Sequence, residues 1–220
     1  MNIHRALSDI ADIRAQLDRT ETYQGFRSTA VGISVLVLVV GAFAEKAWVL
    51  QPSVQVREYL TVWLSVASIS AVIAIAEMLI RGRVSGNRMV WHMHWALVRR
   101  VAPSFIFGLV LTVLIALSAE SQISQVEHPG LGTPVGLMIA LPGLWSMIYA
   151  IALFSCQQHL PKQTALVALF FFVGGIAILV NNFLTFQLAG WQMVALFGIG
   201  QAWLAFVLYW NLERRRGEEN

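Results

Sequence analysis

The chain has 220 residues, 57% of them hydrophobic and only 12% charged, about half the charged fraction of an ordinary soluble domain. That balance excludes a water-soluble globule. The formal charge of +3 is not gathered into a basic folded face, so a nucleic-acid partner is not expected.

The first 27 residues open with Ile3, Leu7, Ile10, Ile13 and Leu17, recurring every three or four positions. This spacing predicts an amphipathic helix over 2–22, with Arg5–Asp9 and Arg14–Asp18 paired along its polar face. Over the first 27 residues four Arg balance three Asp and one Glu, and the helix lacks early aromatic anchors. It therefore suits docking on protein, either a second copy of the chain or a cytoplasmic partner, better than lying on a membrane surface. The alternative is that it lies along its own bundle.

Six apolar runs follow, at about 28–50, 59–80, 101–119, 134–156, 162–183 and 190–212, each near the roughly 20 residues that a helix needs to cross a bilayer. They lack the alternation of barrel strands, and a backbone in lipid must satisfy its own hydrogen bonds, so all six are read as helices. The acidic residues Asp9, Asp12, Asp18 and Glu21 precede the first run, which argues for a permanent span rather than a signal peptide. The fold class expected is thus all-α: a polytopic membrane protein with a cytoplasmic amphipathic helix (1–27), six transmembrane helices (28–212) and a cytoplasmic tail (213–220).

Thirteen of the fifteen Lys and Arg fall before the first run, in the second and fourth loops, or in the tail; only Lys46 and Arg57 lie on the other side. The positive-inside rule places both termini in the cytoplasm of a cell inner (plasma) membrane. The second loop, 81–100, carries a turn at Gly82, Ser85, Gly86 and Asn87. A helical approach from Arg88 follows, with Trp91 and Trp95 at the headgroup level and five Arg available to membrane lipids.

Polar groups inside the runs are the usual pointers to function. Glu77 stands four residues before Arg81 and is expected to pair with it; a proton or cation site is the other reading. Glu45 and Lys46 lie near the end of the first run and are expected to reach the interface. Cys156 and His159, three apart, with His92 and His94 from the neighbouring loop, are the candidate metal ligands, a weak constellation because His-x-His on a helix points two ways. No other cofactor is expected.

Helix breakers cluster at one height: Gly41, Pro142-Gly143, Gly174-Gly175, Gly198 and Gly200. Two readings stay open. Small residues let helices approach closely, or the breaks open a ligand cavity walled by Trp145, Ser146, Tyr149, Asn181, Asn182 and Gln201. No nucleophile elbow, phosphate loop, metalloprotease pair or paired intramembrane carboxylates are found, so no catalytic residue is assigned.

The order of features resembles that of uncharacterised bacterial six-span inner-membrane proteins. The resemblance rests on the charged segment ending at Asp18-Arg19-Thr20, the glycine-containing first run, and Leu-Pro-Gly-Leu-Trp at 141–145. It implies the six-span fold and, through neighbouring winged-helix regulators, a signalling context; it assigns no activity. The function expected is non-enzymatic, through a protein partner or a bound lipid-like ligand. The alternative is a small transporter or channel with a cavity near the breaks in runs four and five.

Overall fold

The computed structural model describes residues 28–49, 56–85, 88–122, 134–185 and 190–214, and every regular element among them is helical. The helices are α1 (Ser28–Trp48), α2 (Val56–Ser85), α3 (Arg88–Gln122), α4 (Pro134–Ser155) and α5 (Thr164–Thr185). A last rod follows: α6 (Gly190–Met193), a π-helical turn (Val194–Gly198), α7 (Ile199–Leu208) and a second π-turn (Tyr209–Glu213). The expected segment 2–22 lies outside the described residues.

Stretches of five helices are long and apolar enough to cross a membrane: Ser28–Trp48, Arg57–Ile80, Trp95–Ser118, Thr164–Thr185 and Gly190–Asn211; α4 contributes a shorter apolar stretch, Ile139–Ser155. The chain is an all-α polytopic membrane protein. Its outer surface is apolar, with Leu36, Phe43, Val72 and Leu184 each more than 60% exposed, a coat that only lipid solvates.

Each helix packs on its neighbour in sequence, and the last rod closes on α1, so the helices form a ring. Adjacent helices run antiparallel. Thr29 at the start of α1 meets Glu77 near the end of α2, whereas Glu45 near the end of α1 meets Trp63 early in α2. Hydroxyls along the spans bond the carbonyl four residues back, as Thr61, Ser65, Thr112, Ser118 and Ser155 do. Their polarity is thereby hidden from lipid inside their own helices.

Two apolar clusters fill the ring. One gathers Leu38, Tyr59, Trp63, Val66, Ile115, Leu141 and Met193. The other centres on Phe171, with Val31, Ala150, Val167, Leu204 and Leu208. The Phe171 ring lies edge-on to Tyr149, with centroids 4.8 Å apart, and 5.4 Å from that of Phe197. Gly200 admits this ring: a Cβ there would collide with Phe171.

Two expected boundaries move. α2 runs through Gly82 to Ser85 rather than turning at Gly82, because one glycine costs a helix only about 1 kcal/mol. Cys156 and His159 do not share an α-helical face. α4 ends at Ser155, and Gln157–His159 form a 3-10 turn directly after Cys156, beyond which α5 starts with the Thr164 hydroxyl bonded to the Pro161 carbonyl.

Candidate functional site

Polar side chains form a seam of hydrogen bonds between helices that runs from the end of the bundle where α1 finishes and the last rod begins to the middle of α4. Glu45, four residues short of Val49, is buried, with 6% of its surface exposed. The indole N–H of Trp63 on α2 donates to its Oε2 at 3.0 Å, and the backbone N–H of Gly190 also donates to it. A Cβ at position 190 would collide with this carboxylate, so glycine is what lets the rod's first turn close over it. The expectation that Glu45 reaches the interface is therefore corrected. Two neutral donors from neighbouring helices hold the carboxylate where it stands. Lys46, next in sequence, is exposed.

Two residues past Gly190, the buried Gln192 donates through Nε2 to Asn182 Oδ1 at 2.6 Å, and Asn182 donates to the Ile139 carbonyl at 3.0 Å. That carbonyl stands three residues before Pro142 in α4, and a side chain from the next helix gives it a donor. Ser146 donates to the Phe171 carbonyl at 2.7 Å, and Trp145 to Thr112 Oγ1 at 2.8 Å. Bonds thus link α2 to α1, α1 to the rod, the rod to α5, α5 to α4 and α4 to α3.

Of the residues expected to wall a cavity, Trp145, Ser146 and Asn182 are engaged in helix pairing. Tyr149 is packed among Phe105, Phe171 and Phe197. Asn181 is exposed, its carbonyl taking the Thr185 hydroxyl. Gln201 is half-buried on the last rod, and its Oε1 has no hydrogen-bond partner among the described residues. At the height of the breaks, α4 and α5 touch: a Cβ on Gly143 would come within 2.6 Å of the Gly175 carbonyl, and one on Gly175 within 2.8 Å of the Gly143 carbonyl. The glycines serve close packing at this level.

Open space lies elsewhere. A groove of about 610 Å³ runs between α1 and the rod, lined by Val39, Ala42, Phe43, Glu45, Lys46 and Val49 on one side. Gly190, Trp191, Val194 and Ala195 form the other. Both sets repeat at three- and four-residue spacing, so each is one helix face. Ala42, Gly190 and Ala195 give the groove its depth. Val194 and Ala195 belong to the π-turn, whose added residue per turn shifts the faces on either side of it, a distortion common at functional sites. The walls are almost wholly apolar, and the polar exceptions are Glu45 and Lys46.

At the opposite end, Glu77 accepts a hydrogen bond from Thr29 at 2.9 Å; the side chain of its expected partner, Arg81, lies outside the described residues, as do those of His92 and His94. Among the described residues no three His, Cys, Asp or Glu come together to hold a metal. Cys156 is buried against Leu97, and His159 has a buried Nε2 without a hydrogen-bond partner among the described residues. Arg100 donates to Gln158 at 2.9 Å, tying α3 to the 3-10 turn.

Sequence reasoning set aside Glu45 and did not single out Trp63, Thr112, Gly190 or Gln192. The one signal for Glu45 was a carboxylate a full turn inside an apolar run. Comparison with protein families, with curated proteins and with solved structures yields no match for this chain.

Proposed function

We propose that the chain is a six-pass protein of the cell inner membrane, with both termini cytoplasmic, that works without catalysing a reaction by holding a lipid-like ligand between α1 and the last rod. One observation carries the reading: the groove is apolar along its walls, opens beside the exposed Phe43 and Trp191, and has a carboxylate and an ammonium among its lining. Amphipathic ligands ask for this division, a few polar groups that fix orientation among apolar walls. The 13-to-2 distribution of basic residues supports the orientation. The apolar stripe at 2–22 supports a separate docking surface for a second copy or a cytoplasmic protein.

Transport is the rival reading. It would run past the breaks in α4 and α5, where the backbones of Gly143 and Gly175 are in contact. The test is to purify the protein in mild detergent, record its native mass, and extract what travels with it. A bound lipid-like molecule that survives extended washing, and that Ala195→Phe removes by filling the groove, is the expected result. Lipid-free protein together with saturable solute flux in proteoliposomes would overturn the proposal.

A further inference from the structure

The groove's two polar residues carry opposite charge, and their arrangement selects a headgroup. Glu45 is an acceptor-only group with about four lone-pair sites; Trp63 and Gly190 occupy two of them. Glu45 also lines the groove, and a ligand that donates would use its further acceptor capacity. Lys46 follows in sequence and lines the same groove while staying exposed, whereas Glu45 is buried. A complementary headgroup therefore has an N–H cation to reach inward and an anion to stay outside. Its tail would lie along Val39, Phe43 and Val194.

We infer that the groove binds a phospholipid with a primary ammonium headgroup, as in phosphatidylethanolamine, its ammonium on Glu45 and its phosphate on Lys46. This rests on the reading that the groove holds a lipid-like ligand, and narrows it to one headgroup class. A primary ammonium has three N–H donors for a carboxylate, whereas the trimethylammonium of phosphatidylcholine has none and is recognised through aromatic cages. The groove has two aromatic residues, Phe43 and Trp191, on opposite walls, and no cage. An anionic lipid such as phosphatidylglycerol satisfies Lys46 and leaves Glu45 facing a headgroup without a cation.

The test uses the full chain in nanodiscs of equal parts phosphatidylethanolamine, phosphatidylcholine and phosphatidylglycerol, followed by transfer to detergent and native mass measurement of retained lipid. The expected result is that phosphatidylethanolamine is retained over each of the others by about tenfold, the effect of one charge-assisted hydrogen bond. Glu45→Gln keeps an acceptor for Trp63 and the shape of the side chain; it is expected to abolish the preference while lipid is still retained. Lys46→Gln is expected to lower retention of all three lipids, since each carries the phosphate that Lys46 would hold. Ala195→Phe is expected to remove all retained lipid.

Equal retention of the three lipids by the native chain, lost in Ala195→Phe, would overturn the headgroup assignment and leave the lipid groove standing. Retention unaffected by Ala195→Phe would overturn both. A preference for phosphatidylethanolamine that survives Glu45→Gln would also overturn the assignment, because the carboxylate would then not be what reads the headgroup.

Discussion

Glu45 shows how a carboxylate is held among membrane helices: an indole N–H from α2 and a backbone N–H from the last rod both point at it. Removing the acceptor leaves the buried Trp63 indole and the half-buried Gly190 amide unpaired, and an unsatisfied buried donor costs about 1–3 kcal/mol. Glu45→Ala is therefore expected to lower the thermal midpoint of the detergent-solubilised protein clearly, and Glu45→Gln to lower it much less, as read by loss of the monodisperse peak after heating. A midpoint for Glu45→Ala equal to that of the native chain would mean that the seam contributes nothing at this end. The sequence pattern could not reveal the partnership. A carboxylate one turn inside Trp48 reads as an interfacial group on its own helix, and Trp63 lies eighteen residues away on the next one. Asn182 was legible as a polar group within a span. Its partners, the Ile139 carbonyl and Gln192, come from two other helices and carry no local sequence signal.

Helices were the most legible scale, because span length and apolarity are set by bilayer thickness and need no tertiary information. α1, α4 and α5 begin within two residues of the expected runs, and the last run begins at Gly190 as expected. The role of the breaks was not legible, since a glycine can open a cavity or close a contact. The structure distinguishes the cases by what surrounds each one. At Gly32 nothing lies within 4 Å of an added Cβ, while at Gly175 the Gly143 carbonyl is 2.8 Å away. Gly32→Ala is expected to leave the thermal midpoint unchanged, and Gly175→Ala to cost about 1–3 kcal/mol, the usual penalty for overpacking. If both variants melt with the native chain, α4 and α5 do not approach as closely as described. The π-turn at Val194–Gly198 was equally invisible, because its extra residue is absorbed inside an uninterrupted apolar run.

For the molecule as a whole, the ring places Arg99, Arg100, Lys162 and Arg214 at one end and Lys46 and Arg57 at the other, as antiparallel helices of this length require. Arg214 stacks 4.1 Å from the Trp210 ring centre, an interfacial pairing of cation and aromatic. If the basic end is cytoplasmic, a reporter active only in the cytoplasm is expected to work when fused after Asn220 and to be silent when inserted at Pro129. The reverse pattern would invert the topology and put the groove in the other leaflet. The central claim, that a lipid occupies the space between α1 and the last rod, is tested most directly in the membrane itself. Cells or vesicles containing the protein are given a phospholipid with a photoreactive acyl chain, irradiated, and the labelled peptides mapped by mass spectrometry. Adducts concentrated on 39–49 and 190–195, and lost in Ala195→Phe, are the predicted result. Labels spread evenly over the lipid-facing residues, or gathered near Gly143 and Gly175, would contradict it.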